Sequence, residues 1–182
     1  MKILNLTTLA LGFLLLNAAC CKKDKLPPET QGGYYYFGCL VNGKVWLPRG
    51  VPFSSVATIA WSNKKGTYLA IGANKDGSQS IGFLVKGIEI KSNNVYILNS
   101  NNNSNATFEY KGDKGSFCYY QSSSKFPGEL TITKYDTINK IVSGRFSFKA
   151  VFNFTQGNER DCDTTLIDIS EGRFDLKYDI QP

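Results

Sequence analysis

The chain of 182 residues contains no histidine. Every mechanism that needs an imidazole base or ligand is thereby excluded, including Ser-His-Asp and Cys-His nucleophile systems, HExxH metalloproteases and His-ligated zinc, copper or haem. Acid and base work is left to carboxylates. Glu89, Glu109, Glu129, Asp168 and Glu171 could supply the two acids that flank a scissile glycosidic bond, but no spacing selects a pair among them. Acids on the polar faces of strands are ordinarily just solvated. The stretch Thr155-Gln156-Gly157-Asn158-Glu159-Arg160-Asp161-Cys162-Asp163 gathers oxygen atoms of the kind Ca²⁺ takes. It lacks the acid spacing of an EF-hand and carries Arg160 inside it, so a plain surface loop is expected. No catalytic residue, metal ligand set or cofactor is assigned, and the chain is read as non-enzymatic.

The cysteines carry chemistry of another kind. Lys2 and the short apolar run Leu9 to Leu16, too short to span a bilayer, lead into Asn17-Ala18-Ala19-Cys20-Cys21. Small residues directly before a Cys resemble the bacterial lipobox, in which the thiol is acylated and the peptide before it removed. Cys20 is the expected lipid attachment site, with Cys21 the alternative. Residues 1–19 are then a signal peptide, set aside from fold reasoning, and the chain is expected in the cell envelope, anchored to the outer membrane through its lipid. Residues 20–33, polar with a Pro pair and a Gly pair, read as a flexible tether. Acidic residues just after such a Cys resemble a surface-export signal, but Asp24 stands among three lysines, so the sequence does not choose between the periplasmic and the outer face.

Export puts Cys39, Cys118 and Cys162 in an oxidising compartment, where two can pair and one is left over. Cys39 lies in an apolar strand between Gly38 and Leu40 and suits a buried free thiol. Cys162 in its polar loop and Cys118 near a strand end are open to an oxidant, so a Cys118–Cys162 disulfide is expected. Aromatics are abundant, with 2 Trp, 10 Tyr and 12 Phe. Tyr34-Tyr35-Tyr36 and Tyr119-Tyr120 place neighbours on both faces of a strand, so at least one of each group should point outward. Exposed Tyr and Trp suit binding of sugars or protein partners, and Tyr35, Trp61 and Tyr120 are the candidate ligand-facing rings.

From Tyr34 onward the elements that must position these residues are strands. Apolar residues recur with period two, and no window carries helical spacing with caps. In Arg145 to Phe154, Phe146, Phe148, Ala150, Phe152 and Phe154 share one face, while Arg145, Ser147, Lys149 and Asn153 take the other. Phe174, Leu176 and Tyr178 alternate likewise with Arg173, Asp175 and Lys177. Leu130 to Thr133 forms a hairpin with the run from Ile141, and Asn42-Gly43 is a hairpin turn because both residues tolerate positive φ. Ser143-Gly144-Arg145-Phe146 echoes Glu171-Gly172-Arg173-Phe174, as two neighbouring strands would. The Asn-rich stretch from Asn93 to Asn105, broken by Val95 to Leu98, reads as a polar loop. About ten short strands over residues 34–182 predict a single all-β domain, an antiparallel β-sandwich or partly open β-barrel.

With 21 basic against 15 acidic residues, the net charge is mildly positive and the cations are scattered, so no nucleic-acid footprint is present. Phe37-Gly38-Cys39-Leu40-Val41-Asn42-Gly43-Lys44-Val45-Trp46, Gly128-Glu129-Leu130-Thr131-Ile132-Thr133-Lys134, Ile141 to Phe148 and the closing Gly172-Arg173-Phe174-Asp175-Leu176-Lys177-Tyr178 resemble a group of small Bacteroidota lipoproteins of unknown function. That resemblance implies a lipid-anchored all-β protein and carries over no active site. Two function classes follow. One is an envelope module that binds or scaffolds another envelope protein. The other is a carbohydrate-binding or weakly carbohydrate-active lipoprotein with a glycan ligand.

Overall fold

The computed structural model describes residues 24–50, 58–100, 103–112 and 114–181. The expected signal peptide and both candidate acylation sites, Cys20 and Cys21, lie outside the described residues. The architecture is all-β. Twelve strands are present among the described residues: β1 (Tyr36–Val41), β2 (Lys44–Trp46), β3 (Thr58–Asn63), β4 (Tyr68–Lys75), β5 (Gln79–Lys86), β6 (Asn94–Leu98), β7 (Asn105–Lys111), β8 (Phe117–Gln121), β9 (Gly128–Asp136), β10 (Ile141–Gln156), β11 (Ile167–Lys177) and β12 (Asp179–Gln181). The expected hairpin turn is present, with Asn42 and Gly43 at φ 48° and 74°.

The strands form one open mixed sheet in the order β12-β3-β4-β5-β7-β8-β10-β11-β1-β2, with β6-β9 added along β10. Every pairing is antiparallel except β12 with β3. The sheet does not close into a barrel; it folds over on itself about β10. That strand runs 16 residues, roughly 50 Å at strand rise. Its first part pairs with β9 and β11, and its last part with β8. The core fills the fold: Phe83 of β5 lies 4.4 Å from Phe146 and 5.9 Å from Phe148 of β10, ring centre to centre.

The sequence echo has a packing reason. Arg145 of β10 stands opposite Arg173 of β11, which places Phe146 opposite Gly172 and Phe174 opposite Gly144. A Cβ on Gly172 would meet the Phe146 ring at 2.4 Å, and one on Gly144 the Phe174 ring at 2.7 Å. Each phenyl ring thus lies over the bare backbone of the other strand's glycine.

Three expectations change. Val95 to Leu98 is no interruption of a loop but part of β6, held to β9 by a five-residue register; its flanking asparagines hide a segment too short to alternate visibly. Phe154, expected inward, faces solvent at 52 % exposure. Asp175, expected outward in water, is 1 % exposed, because residues 24–33 lie across it. Without regular secondary structure, this segment crosses the outer side of β11, β10 and β9. Thr30 Oγ1 donates to Asp175 at 2.6 Å, the Gly33 and Gly32 amides at 2.7 and 3.0 Å, and Ser143 Oγ at 2.8 Å. Lys134 Nζ donates to the Gln31 carbonyl, and Arg145 pairs with Glu29. The described part of the expected tether is therefore a strap laid on the sheet. Burial alone would raise the Asp175 pKa, but hydrogen bonds from Thr30, Ser143, Gly33 and Gly32 outweigh it and hold the carboxyl below its ordinary value.

Candidate functional site

On the half of the sheet built from β3, β4, β5, β7, β8 and the end of β10, strand register lines the outward side chains up in rows. Phe154 stands opposite Tyr119, Tyr119 opposite Glu109, Glu109 opposite Ser80, and Ser80 opposite Asn74. The adjacent row runs Gln121, Thr107, Gly82, Gly72, Ile59. Gly72 and Gly82 face each other across β4 and β5, so no side chain covers the sheet there. A groove of about 280 Å³ results, lined by Thr58, Ile59, Gly72, Asn74, Ser80, Gly82 and Thr107 among others.

At the end of this face Tyr119 and Phe154 stack, 4.4 Å between ring centres and 13° between planes. Strict alternation from Phe152 would turn Phe154 into the core. It does not, because the register slips between Phe152 and Phe154: Phe152 opposes Tyr120 and Phe154 opposes Tyr119, with Asn153 as the extra residue of a β-bulge. Bulges re-aim side chains in this way and concentrate beside functional sites. Between the rings and the groove sits Glu109, with Ser80 Oγ donating to it at 3.5 Å. Burial pushes its carboxyl pKa up, and the Ser80 hydroxyl only partly opposes this.

The candidate rings chosen from sequence are not brought together. Tyr120 is a correction: at 1 % exposure it is a core residue, its hydroxyl donating to the Asp163 carbonyl and its ring packed against Phe152, Tyr110 and Phe108. Its neighbour Tyr119 takes the outward position. Cys118 and Tyr120 share one face of β8, and the burial of Cys118 puts Tyr119 on the other. Trp61 is half-buried on β3, on the same face as Ile59. Tyr35 is 58 % exposed before β1, at φ 61°, away from the groove.

Cys118 and Cys162 form the disulfide, Cα atoms 5.6 Å apart, and Cys39 is the buried free thiol, its pKa pushed up to about 12 by burial. The bridge and two tyrosine hydroxyls sew the oxygen-rich loop to the sheet: Tyr110 accepts from the Asp163 amide at 2.8 Å. The loop's oxygens are taken by protein donors, Asp161 accepting from Ser116 Oγ just before β8 and pairing with Lys114, and Asn158 capping the Arg160 amide. Among the described residues no group of three or more His, Cys, Asp or Glu side chains is placed to hold a metal ion. Of the other carboxylates, Glu89 pairs with Lys91 and Glu171 with Arg173. Glu129 and Glu171 line a cleft on the strap side with Glu29, Arg145 and Arg173.

A family model for a domain of unknown function, DUF6252, matches residues 48–175. The chain belongs to that family. The DUF6252 match spans the groove, the Tyr119–Phe154 stack, the disulfide and Asp175. No curated protein and no solved structure matches the chain.

Proposed function

We propose that this DUF6252 protein is a lipid-anchored, non-enzymatic binding module of the cell envelope, held to the outer membrane through Cys20, or Cys21 in its place. It engages an envelope protein or a glycan through the outward face of β3, β4, β5, β7, β8 and the end of β10. The observation that carries the reading is the Tyr119–Phe154 stack. A bulge spends one residue of β10 to move a phenyl ring from the core face to solvent, a placement that core packing alone does not favour. The ring then shares one outward face with a groove kept open by two glycines facing each other, Glu109 lying between them. For the anchor, the support is the apolar run followed by Ala18-Ala19-Cys20-Cys21. The absence of histidine and of any selected acid pair favours binding over catalysis.

Cys20→Ser together with Cys21→Ser should move the full chain out of the detergent phase. Unchanged partitioning overturns the anchor. For the face, full-length protein carrying Tyr119→Ala and Phe154→Ala should lose whatever the wild type retains from a glycan array or an envelope fraction. Equal retention by both overturns it.

A further inference from the structure

We infer that the ligand of this face is an uncharged glycan chain. One sugar ring packs against the Tyr119–Phe154 pair, its neighbours lie in the groove over Gly72 and Gly82, and Glu109, Ser80 and Asn74 bind their hydroxyls. The inference rests on the reading of this face as the ligand surface.

The first row, Phe154, Tyr119, Glu109, Ser80, Asn74, crosses five strands in direct register. At about 4.8 Å between strands it is roughly 19 Å long. It begins with an exposed aromatic surface and continues through a carboxylate, a hydroxyl and an amide. A sugar has this alternation in its own chemistry. Its C–H face is apolar and packs on an aromatic ring, while its edge carries hydroxyls that both donate and accept. A half-buried carboxylate beside the rings accepts from such hydroxyls in a partly dry setting, where hydrogen bonds to charge are strong.

Charge and backbone argue against other occupants. The groove lining carries no charged side chain. The one carboxylate on its border repels anions, so phosphate-bearing and acidic polymers are disfavoured although the whole chain is net positive. Lys111, on the outward side of β7, sits over the Phe117 ring at 5.9 Å rather than in the groove. An extended peptide binds best by adding to a free sheet edge. Here β4, β5, β7 and β8 are each paired on both sides, while β3 pairs with β12 only over Trp61, Ser62 and Asn63, so over most of this face the backbone is already satisfied and only side chains face the ligand.

The test uses the detergent-solubilised full chain in affinity electrophoresis. The neutral probes are mixed-linkage β-glucan, xyloglucan, galactomannan and dextran, and the anionic probes are polygalacturonate and alginate. Expected is retardation by at least one neutral polymer, weakened at least tenfold in Phe154→Ala and in Gly72→Leu. The leucine fills the groove with a small shift of Ile59, the one side chain a Cβ at Gly72 meets, at 3.3 Å. Unchanged thermal unfolding of both variants verifies folding. Retardation by anionic polymers alone, lost in the same variants, overturns the neutral-glycan class and leaves the face standing. Retardation by a neutral polymer that both variants preserve overturns the face itself. No retardation by any polymer overturns the glycan inference, and envelope-protein retention lost in Phe154→Ala then leaves the face to a protein partner.

Discussion

Tyr119 and Phe154 lie face to face, 4.4 Å apart, on strands whose register slips by one residue immediately before the contact. Phe148 and Phe154 share one strand and the same parity, yet one lies in the core and the other in solvent at 52 % exposure. Truncation should separate them. Phe148→Ala opens a core cavity and is expected to cost about 3–5 kcal/mol. Phe154→Ala removes one exposed stack and should cost about 1 kcal/mol. Urea unfolding of both variants checks this, and equal losses would show that Phe154 is structural.

The strap adds a pH dependence. The folded pKa of Asp175 is depressed, so its contribution is present above the unfolded aspartate value of about 3.9 and is lost as pH falls through the lower folded value. Asp175→Ala should therefore cost about 3 kcal/mol or more near neutrality, because it strands buried donors of Ser143 and Gly33. The deficit should shrink as pH falls below the ordinary aspartate value and the native carboxyl protonates. Urea midpoints of wild type and variant between pH 2 and about pH 7 measure it, and a pH-independent gap contradicts the assignment.

A chain beginning at Tyr34 keeps every strand but loses Thr30, Gly32 and Gly33 as donors to Asp175. It should unfold at lower urea than a chain beginning at Asp24. Equal midpoints would mean that the strap is dispensable.

Thiol counting tests the covalent assignment. With Cys20→Ser and Cys21→Ser in place, the native oxidised chain should show no thiol reactive to Ellman's reagent, since Cys39 is buried with a pKa of about 12. One should appear on unfolding and three after reduction. Loss of the bridge, which spans a sequence separation of 44 residues, should cost roughly 4 kcal/mol by loop entropy, read from the urea midpoint of Cys118→Ser with Cys162→Ser.

The reciprocal Phe-over-Gly packing predicts that Gly172→Ala is destabilising by about 1–3 kcal/mol through overpacking against Phe146. Gly172→Ala combined with Phe146→Leu should recover part of the loss in the same unfolding assay. No recovery would place the strain elsewhere.

Period-two alternation was enough to read the all-β class and the adjacency of β10 and β11, and the tolerance of Asn and Gly for positive φ was enough for the Asn42-Gly43 turn, because each depends on residues near one another or on matched strand patterns. The Cys118–Cys162 pair was legible too, since an apolar strand sets Cys39 apart from the other two thiols. Alternation divides a strand into two faces but does not say which is wet, so Tyr120 and Tyr119 exchanged their expected places. A bulge needs only one unmarked residue, Asn153, and it reversed the side on which Phe154 emerges. Asp175 has the pattern of a solvated acid, and only the return of Thr30 to Gly33 from more than 140 positions away buries it. The core was written locally in apolar spacing, whereas the candidate binding face and the strap came from register and long-range hydrogen bonds, which a linear pattern does not carry.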